Sequence, residues 1–234
     1  MSRLKRFHSQ LSSRPILWGI VSPLWAAQRW GTGVVLQTWW NRSAEISSPG
    51  LRVDAGARVH CCGELRVGGK VLIGRGATVS VPEGSSLQFA GDNYVLHGSQ
   101  LAVGSGGSIR IGTRTTVDRD AIINGDVRIG SDCLIAPRVF ISSSTHSFDP
   151  TGTRTIREMD REATSEAGVQ TIVVGDNCWL GVGAVLLPGV QLGSHTVVGA
   201  GAVVTKAWPD GHQVLVGVPA RPLPPPREKP AQST

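Results

Sequence analysis

The sequence is poor in aromatic residues and lacks the patterns that identify several common classes of protein. Only 5% of its 234 residues are aromatic, whereas 30 are glycine. Helical globular proteins seldom have this composition, and β-rich repeat proteins often do. No basic helix and no nucleic-acid-binding fingerprint is present, so the net charge of +6 does not predict a nucleic-acid partner. The charge fits a solvated basic surface, and it also suits a phosphate-bearing ligand or an anionic membrane surface.

The four cysteines form no Cys-x-x-Cys pair, so a zinc site is not expected and no residue is predicted to bind a metal. Cys133 and Cys178 fall on inward positions of the repeat described below, which predicts small buried side chains. No disulfide framework is indicated, and a reducing compartment is the default expectation. We therefore expect a cytoplasmic protein, with a peripheral position at the cytoplasmic membrane left open.

The N-terminal region contains an apolar stretch, residues 16–27, that is too short to cross a bilayer, which requires about 20 apolar residues. No small-x-small cleavage site closes it, so we expect it to be retained. Tryptophans between Trp18 and Trp40 lie among aliphatic residues and arginines, as in interfacial helices. We predict a helical, amphipathic extension over residues 1–50. It would either cap the base of the repeat or contact a membrane through residues 14–40.

An aliphatic residue recurs every six positions in the second half of the chain. The two runs are Ile111, Val117, Ile123, Ile129, Ile135, Ile141 and Val174, Leu180, Leu186, Leu192, Val198, Val204. Four residues after each comes a second inward candidate: Thr115, Ala121, Val127, Cys133, Val139, Thr145 and then Cys178, Ala184, Val190, Thr196, Ala202, with Trp208 as the exception. A period of six fits neither a strand nor a helix. It predicts a triangular coil of three hexads, stacked about 4.8 Å apart.

Upstream of Ile111 the repeat is less regular, with slips of two residues near Ile73 and Ile109. We predict about seven coils over residues 51–208. The repeat domain is expected to cover 51–221 with a loop at 146–173, and the proline-rich tail 222–234 is expected to be disordered. An ordinary β-sandwich is the alternative, but it would show turns every 8–12 residues with alternation between them.

Three segments resemble the hexapeptide-repeat acyltransferases: VVGDNCWLGVGAVLLPGVQLG at 173–193, VVGAGAVVTK at 197–206 and GVPAR at 217–221. Within that family the sequence is most similar to the maltose and galactoside O-acetyltransferase group and to its relatives in capsule and O-antigen modification. The resemblance is specific from about Ile111 to Arg221. It implies an all-β fold, a left-handed parallel β-helix shaped as a triangular prism, with the N-terminal extension added. It also implies a homotrimer that uses acetyl-CoA as its acyl donor.

Acyl transfer from a thioester to a hydroxyl requires a base, donors for the oxyanion and an aligned pantetheine arm. His146 is the predicted base, because it lies where the repeat stops and a long loop begins, and such excursions are usually functional. The resemblance supports this choice, since the family's catalytic histidine has the same Thr-His-x-x-Asp context, here Thr145 to Asp149. A histidine that merely caps the loop root is the alternative. The other five histidines lie in the N-terminal segment, the early coils or turns.

Three residues are implied for the acceptor side of the site. Asn124 lies where the family places a polar acceptor-binding residue, about one coil before the histidine, although Thr116 and Asp118 compete for this role. Asp149 would orient a hydroxyl or the imidazole, but it precedes a proline and is also an ordinary turn residue. Trp179 would either contact pantetheine or close the acceptor site, with simple surface packing as its alternative.

The donor side is implied by the same resemblance and lies in the last coils. Its predicted residues are Gly181, Val182 and Gly183, whose backbone would flank the arm; Ala200, which is small where the arm passes; Thr205 and Lys206, which would meet phosphates; and Arg221, at the nucleotide end.

The predicted function is an acetyl-CoA-dependent O-acetyltransferase that acts on a sugar hydroxyl in surface polysaccharide or O-antigen biosynthesis. The acceptor would be a small-molecule or lipid-linked sugar. N-acetylation of a nucleotide-linked amino sugar and acetylation of a xenobiotic are the alternatives within the family. A γ-type carbonic anhydrase shares the coil but needs a His-x-x-x-x-His pair, which no two of the six histidines form. A non-catalytic prism would not need the long loop.

Overall fold

The computed structural model describes residues 27–30, 33–37, 44–45, 50–162 and 169–224. The described strands form three sheets, and each turn of the coil contributes one strand to each sheet in the order first, second, third. We call the bends between them the first corner (first to second sheet), the second corner (second to third) and the third corner (third to the first sheet of the next coil).

The strands are β1 to β25 in chain order. The first sheet contains β3 (Ala44–Glu45), β4 (Leu51–Val53), β7 (Val71–Ile73), β10 (Asn93–Val95), β13 (Thr116–Val117), β16 (Leu134–Ile135), β19 (Trp179–Leu180), β22 (Val197–Val198), β24 (Val214–Val216) and β25 (Arg221–Pro222). The second contains β1 (Ala27–Trp30), β2 (Gly33–Gln37), β5 (Arg58–Cys61), β8 (Thr78–Val81), β11 (Gln100–Val103), β14 (Ile122–Gly125), β17 (Phe140–Ser142), β20 (Val185–Leu186) and β23 (Val203–Val204). The third contains β6 (Glu64–Val67), β9 (Ser86–Phe89), β12 (Ser108–Ile111), β15 (Val127–Ile129), β18 (Ile172–Val174) and β21 (Gln191–Leu192).

The predicted parallel β-helix is confirmed. Coil 1 begins at β4 and coil 7 ends at Trp208, which bridges to Leu192 in place of a further strand in the third sheet. The helix α1 (Ile156–Glu162) lies in the loop of coil 5. None of the described helices is both long enough and apolar enough to cross a membrane.

The core fills the prism with the predicted repeat. All twelve aliphatic residues of the two six-residue runs are buried, and so are their predicted partners four residues later, apart from Thr145 and Trp208. Thr145 is exposed, so its inward assignment is wrong, because the chain has already left the coil after Ser143.

The irregular upstream spacing has a simple structural cause. The step from one coil to the next is 22 residues at Val71, which pairs with Asn93, but 18 residues at Thr116, which pairs with Leu134. The early coils are wider because their strands in the third sheet have four residues and their corners contain additional residues. The two-residue slips therefore mark wider coils within one continuous helix.

Polar side chains form a hydrogen-bonded column inside the third corner. Asn93 Nδ2 donates to the carbonyls of Gly112 and Thr115, at 2.7 and 3.1 Å. Thr115 Oγ1 continues the column to the Gly130 carbonyl. Each of these bonds satisfies a corner carbonyl that would otherwise be buried without a partner.

Two cysteines continue this column. Cys133 and Cys178 are buried as predicted, and their thiols also donate to the carbonyls of Gly175 and Gly193, at 3.2 and 3.4 Å. They therefore act as weak hydrogen-bond donors as well as small apolar side chains.

The predicted helical extension is wrong wherever the structure describes it. Strands β1 and β2 pair antiparallel, β2 pairs with β5, and β3 pairs with β4. The first coil presents unpaired backbone groups at its edge, and a strand-forming sequence such as Gly33–Gln37 can satisfy them. The rest of residues 1–49, including most of 14–40, lies outside the described residues, so the capping and membrane roles stay predictions.

Order also continues past the expected domain end at Arg221. Strand β25 pairs antiparallel with β24, and Leu223 N donates to the Val214 carbonyl. The predicted tail therefore begins later than residue 222, and residues 225–234 lie outside the described part of the chain.

Replacing Asn93 with alanine should destabilise the fold, because two buried carbonyls and the Gly91 N–H would lose their side-chain partner. Each unsatisfied buried group costs about 1–3 kcal/mol, so we expect a total loss of at least about 3 kcal/mol. Urea unfolding followed by circular dichroism measures this loss. Asn124→Ala, on the outer surface of β14, is the matched control and should change stability by no more than about 0.5 kcal/mol. Equal losses in the two variants would contradict the role of the column.

Candidate functional site

The long loop leaves and re-enters the coil at the second corner of coil 5. Ser143 and Ile172 are both buried, so the loop covers residues 144–171 and begins slightly earlier than predicted. Its ends meet, because Gln170 N donates to the Ser143 carbonyl at 2.8 Å. In coil 4 the same corner is crossed by Asp126 alone, between β14 and β15.

Asp126 fastens both ends of the loop to coil 4. Its N–H donates to Ser143 Oγ at 2.7 Å, and its carbonyl accepts from Ile172 N at 3.1 Å. Its carboxylate accepts from Thr171 Oγ1 at 2.5 Å. The loop is therefore held at its roots by three bonds to one residue, which fixes where the loop starts and ends.

The electrostatics of Asp126 suit this role. Burial raises the pKa of its carboxyl, but hydrogen bonds from Thr171 and Ser108 and the charge of Arg128 lower the pKa by more, so the net pKa lies below the usual range. Because the folded pKa is depressed, the stabilisation from the carboxylate is complete above the ordinary aspartate pKa and is lost as the pH falls through the lowered value. The two bonds of the Asp126 backbone to Ser143 and Ile172 do not depend on this charge.

Asp149 holds the first part of the loop. Its two carboxylate oxygens accept five hydrogen bonds, from the N–H and hydroxyl of Thr151, the N–H and hydroxyl of Thr153, and the N–H of Arg154. The bonds from Thr151 and then Thr153 depress the pKa of this carboxyl strongly. The predicted contact between Asp149 and the imidazole is not formed, because the carboxylate is committed to its own turn. A contact between Asp149 and a substrate stays a prediction.

The imidazole of His146 is paired with Asp160 instead. His146 Nδ1 lies 2.6 Å from Asp160 Oδ2, and Ser147 N donates to Asp160 Oδ1 at 3.3 Å. The His146 side chain is 81% exposed and that of Asp160 is 34% exposed. The dyad therefore opens to solvent on one side and is held by the loop on the other.

Helix α1 brings Asp160 to this position. Thr155 and Glu158 form a capping box at its start: Thr155 N donates to Glu158 Oε2 at 2.8 Å, and Glu158 N donates back to Thr155 Oγ1 at 3.3 Å. Asp160 was missed from the sequence because the loop has no periodicity. The Thr-x-x-Glu pattern was the one available signal that a short helix lies there.

The acceptor candidates separate in space. Asn124 is half-buried on the outer surface of β14, opposite Ser142, and its carbonyl accepts from Ser143 N. It therefore lies one coil below the loop root, on the same sheet. Thr116 is on the first sheet and Asp118 follows at the first corner, so neither lies at the second corner with the loop.

The donor candidates occupy two different corners. Gly181–Gly183 and Ala200 stack at the first corner of coils 6 and 7, whereas Thr205 and Lys206 lie at the second corner of coil 7. The second sheet separates these groups by about 15–20 Å, the length of one side of the coil. The second corner is the one from which the loop with His146 emerges, two coils away.

The coil itself requires glycine at positions 181 and 183 of the first corner. A Cβ on Gly181 would lie 2.6 Å from Ala200 N, so the coils can approach closely only if this residue is glycine. Gly183 has φ +67°, and the backbone of Gly183 and Val182 bonds to neighbouring coils. These glycines shape a smooth corner, and their predicted contact with the pantetheine arm stays a prediction.

The remaining donor candidates are exposed. Trp179 is 53% exposed on the outer surface of β19, and Arg221 is exposed in β25. Lys206 Nζ lies 4.5 Å from the ring centroid of Trp208, so a cation–π contact holds the lysine beside the end of the coil. Within the described ranges, no group of three or more His, Cys, Asp or Glu side chains is arranged to hold a metal ion.

Comparison with known proteins identifies the repeat. A model of the bacterial transferase hexapeptide, with six repeats, matches residues 171–206. Galactoside O-acetyltransferase of Escherichia coli (strain K12) is 34% identical over 118 residues, which cover 50% of this chain and 53% of that protein. A putative lipopolysaccharide biosynthesis O-acetyl transferase of Escherichia coli (strain K12) is 40% identical over 99 residues, covering 41% and 48% of the two chains.

Among solved structures, a galactoside acetyltransferase in complex with coenzyme A aligns with a TM-score of 0.48 and 26% identity, covering 68% of this chain and 64% of that one. The chain spans about half the length of the curated relatives it matches. The predicted resemblance is confirmed: residues 171–206 match the repeat of the bacterial hexapeptide transferases, and about half of the chain is similar to a galactoside O-acetyltransferase.

Proposed function

We propose that this protein is an acetyl-CoA-dependent O-acetyltransferase that acts on a sugar hydroxyl, in surface polysaccharide or O-antigen biosynthesis. The observation that carries the proposal is the exposed imidazole of His146, held through Nδ1 at the root of a loop that interrupts the repeat. The relatives named above as O-acetyltransferases support the choice of a hydroxyl acceptor.

The chemistry follows from the two nitrogens of the imidazole. Nδ1 is bonded to Asp160, which leaves Nε2 to accept the proton of the acceptor hydroxyl as its oxygen attacks the thioester carbonyl. The tetrahedral intermediate then collapses, the carbon–sulfur bond breaks, and the coenzyme A thiolate takes the proton from Nε2. The products are the acetyl ester and free coenzyme A, and His146 is returned to its neutral state.

Donor binding is assigned to the corners of coils 6 and 7. Thr205 and Lys206 lie at the same corner as the loop, where a lysine can bind a coenzyme A phosphate as a point charge. Gly181–Gly183, Ala200 and Arg221 would contact the rest of the donor. Since these two groups lie on opposite edges of the second sheet, a donor that touches both is more easily held between two chains than on one.

A homotrimer provides such a groove, and the outer surfaces of the prism support it. The first sheet exposes Tyr94, Leu134 and Trp179, each at least 50% exposed, and the second sheet exposes Phe140. The outer column of the third sheet is polar: Arg66, Gln88, Arg110, Arg128 and Gln191, with Val173 half-buried among them. Two different apolar faces that meet head to tail close into a ring of three.

His146→Ala should lower kcat by at least about 100-fold, because loss of a general base typically costs 10²–10⁴-fold. The KM for acetyl-CoA should change little, since the imidazole acts on the acceptor. Coenzyme A release is measured with p-nitrophenyl galactoside as acceptor and, in parallel, with an amino-sugar acceptor. His60→Ala, an exposed histidine of coil 1, is the control. A His146→Ala variant with more than a tenth of wild-type kcat contradicts the assignment. Faster coenzyme A release with the amino sugar than with the galactoside would indicate transfer to nitrogen instead of oxygen.

Lys206→Ala should raise the KM for acetyl-CoA by roughly 10-fold and leave kcat almost unchanged, since a hydrogen bond to a charged group contributes about 1.5–3 kcal/mol. The effect should shrink with acetyl-pantetheine, which lacks the nucleotide phosphates, and at high salt. Lys70→Ala, on a distant corner, is the matched control. Equal Michaelis constants for Lys206→Ala and wild type at low salt would show that Lys206 has no role in donor binding.

Sedimentation at micromolar concentration should give a particle of three times 24.7 kDa. Leu134→Glu should dissociate it, because a charge would be buried at the centre of the apolar first sheet. Gln88→Glu, at an outward position of the polar third sheet in coil 2, should leave the assembly intact. A monomeric wild-type protein, or a trimer unaffected by Leu134→Glu, would contradict the arrangement.

A further inference from the structure

The loop contains two local hydrogen-bonded motifs, which precede the helix that carries the partner of the His146 imidazole. Asp149 closes the first turn through Thr151 and Thr153. The capping box of Thr155 and Glu158 follows directly and starts α1. The hydrogen bonds of both motifs lie within the loop, whereas Asp126 holds the loop's roots. Their shared result is the position of the helix that carries Asp160.

We propose that Asp160 is a positioning residue that holds His146 in the tautomer with its proton on Nδ1, so that Nε2 is the nitrogen available as base. The proposal rests on the proposed function for its catalytic consequence, although the tautomer is a property of the free protein. An ionised carboxylate can only accept hydrogen bonds, so the 2.6 Å contact between Asp160 Oδ2 and His146 Nδ1 requires the proton to be on Nδ1.

The backbone next to the histidine fixes the orientation of the carboxylate. Ser147 N–H donates to Asp160 Oδ1, while Oδ2 faces the imidazole. The two bonds come from adjacent residues of the chain and approach the two oxygens of one carboxylate. Asp160 therefore cannot turn without losing one of them, and the imidazole plane is fixed relative to the loop.

The same carboxylate acts a second time during transfer. When Nε2 takes the hydroxyl proton, the imidazole becomes a cation, and the Asp160 carboxylate against Nδ1 stabilises it. With its side chain 34% exposed, Asp160 is screened by water in part, so its effect should be smaller than that of a fully buried partner. Asp149 cannot substitute for it, because five bonds within its own turn occupy both of its oxygens.

The hydrogen bonds of Asp160 predict an unusual result for its most conservative substitution, Asp160→Asn. In Asp160→Asn, the amide oxygen is retained opposite Ser147 N–H, because the reverse orientation would set two donors against each other. The amide NH₂ then faces His146 Nδ1 and donates to it. That bond selects the tautomer that carries its proton on Nε2. In this tautomer Nε2 has no free lone pair with which to accept the hydroxyl proton. Asp160→Ala removes the contact but lets the imidazole exchange freely between its tautomers.

We therefore expect Asp160→Asn to lower kcat at least as much as Asp160→Ala, although asparagine nearly preserves the shape of the side chain. The expected loss for Asp160→Asn is roughly 10- to 100-fold, by analogy with carboxylates that orient metal-binding histidines. The KM for acetyl-CoA should stay within twofold in both variants. Assays use the intact protein with acetyl-CoA and p-nitrophenyl galactoside. A purely structural role for Asp160 predicts the opposite order, with alanine worse than asparagine.

The tautomer itself is read by ¹⁵N NMR of protein labelled at histidine, with the His146→Ala spectrum providing the assignment. Wild type should show His146 protonated at Nδ1, and Asp160→Asn should show it protonated at Nε2. The same tautomer in both proteins, a kcat of Asp160→Asn within twofold of wild type, or a lower kcat for Asp160→Ala than for Asp160→Asn would each overturn the proposal. If His146→Ala kept its activity while the tautomer changed as expected, the proposed base would fail and the positioning by Asp160 would stand.

Discussion

A coil with three flat sides must turn sharply at each corner, and the whole structure depends on the left-handed backbone conformation that makes those turns. Glycine supplies it at many corners. Among the described residues, eight others adopt φ between 51° and 61°: Asp92, Arg114, Asp120, Asp132, Arg138, Asn177, His195 and His212. Aspartate, asparagine and histidine are the side chains that tolerate this region best. His195 and His212 stack with ring centroids 4.5 Å apart because they occupy successive turns of one corner, so the backbone explains their presence without any role in chemistry.

The positions of the corners determine on which coil and on which sheet of the prism each side chain lies. The rigid part carries the donor candidates, because coils 6 and 7 follow the six-residue rule without interruption. The proposed base, His146, lies in the segment that interrupts the repeat after Ile141, and coil 4 holds that segment through Asp126. Site geometry thus combines a scaffold determined by periodicity with a loop determined by individual hydrogen bonds, and a change in one need not disturb the other.

The sequence predicted those parts that periodicity governs. The aliphatic runs from Ile111 to Val204 gave the coils, and the interruption after Ile141 gave the loop and its histidine. The spacing could not reveal Asp160, because a contact between residues 146 and 160 depends on how an aperiodic loop folds. It also misled at Asp149, whose position near the histidine suggested a contact that the threonines nearby prevent. The strands β1 to β3 were missed because an exposed sheet edge recruits backbone regardless of helical patterning.

Coil 4 crosses the second corner with Asp126 alone, and coil 5 crosses the same corner with an excursion whose two ends nearly touch. The scaffold has to accommodate the roots of the excursion, and lengthening its interior costs little free energy, about 0.6 kcal/mol for each doubling of length. Such a segment can be exchanged for another without rebuilding the coils. Under the proposed function, exchanging the residues between Ser143 and Thr171 would change acceptor recognition and leave the candidate donor residues of coils 6 and 7 in place.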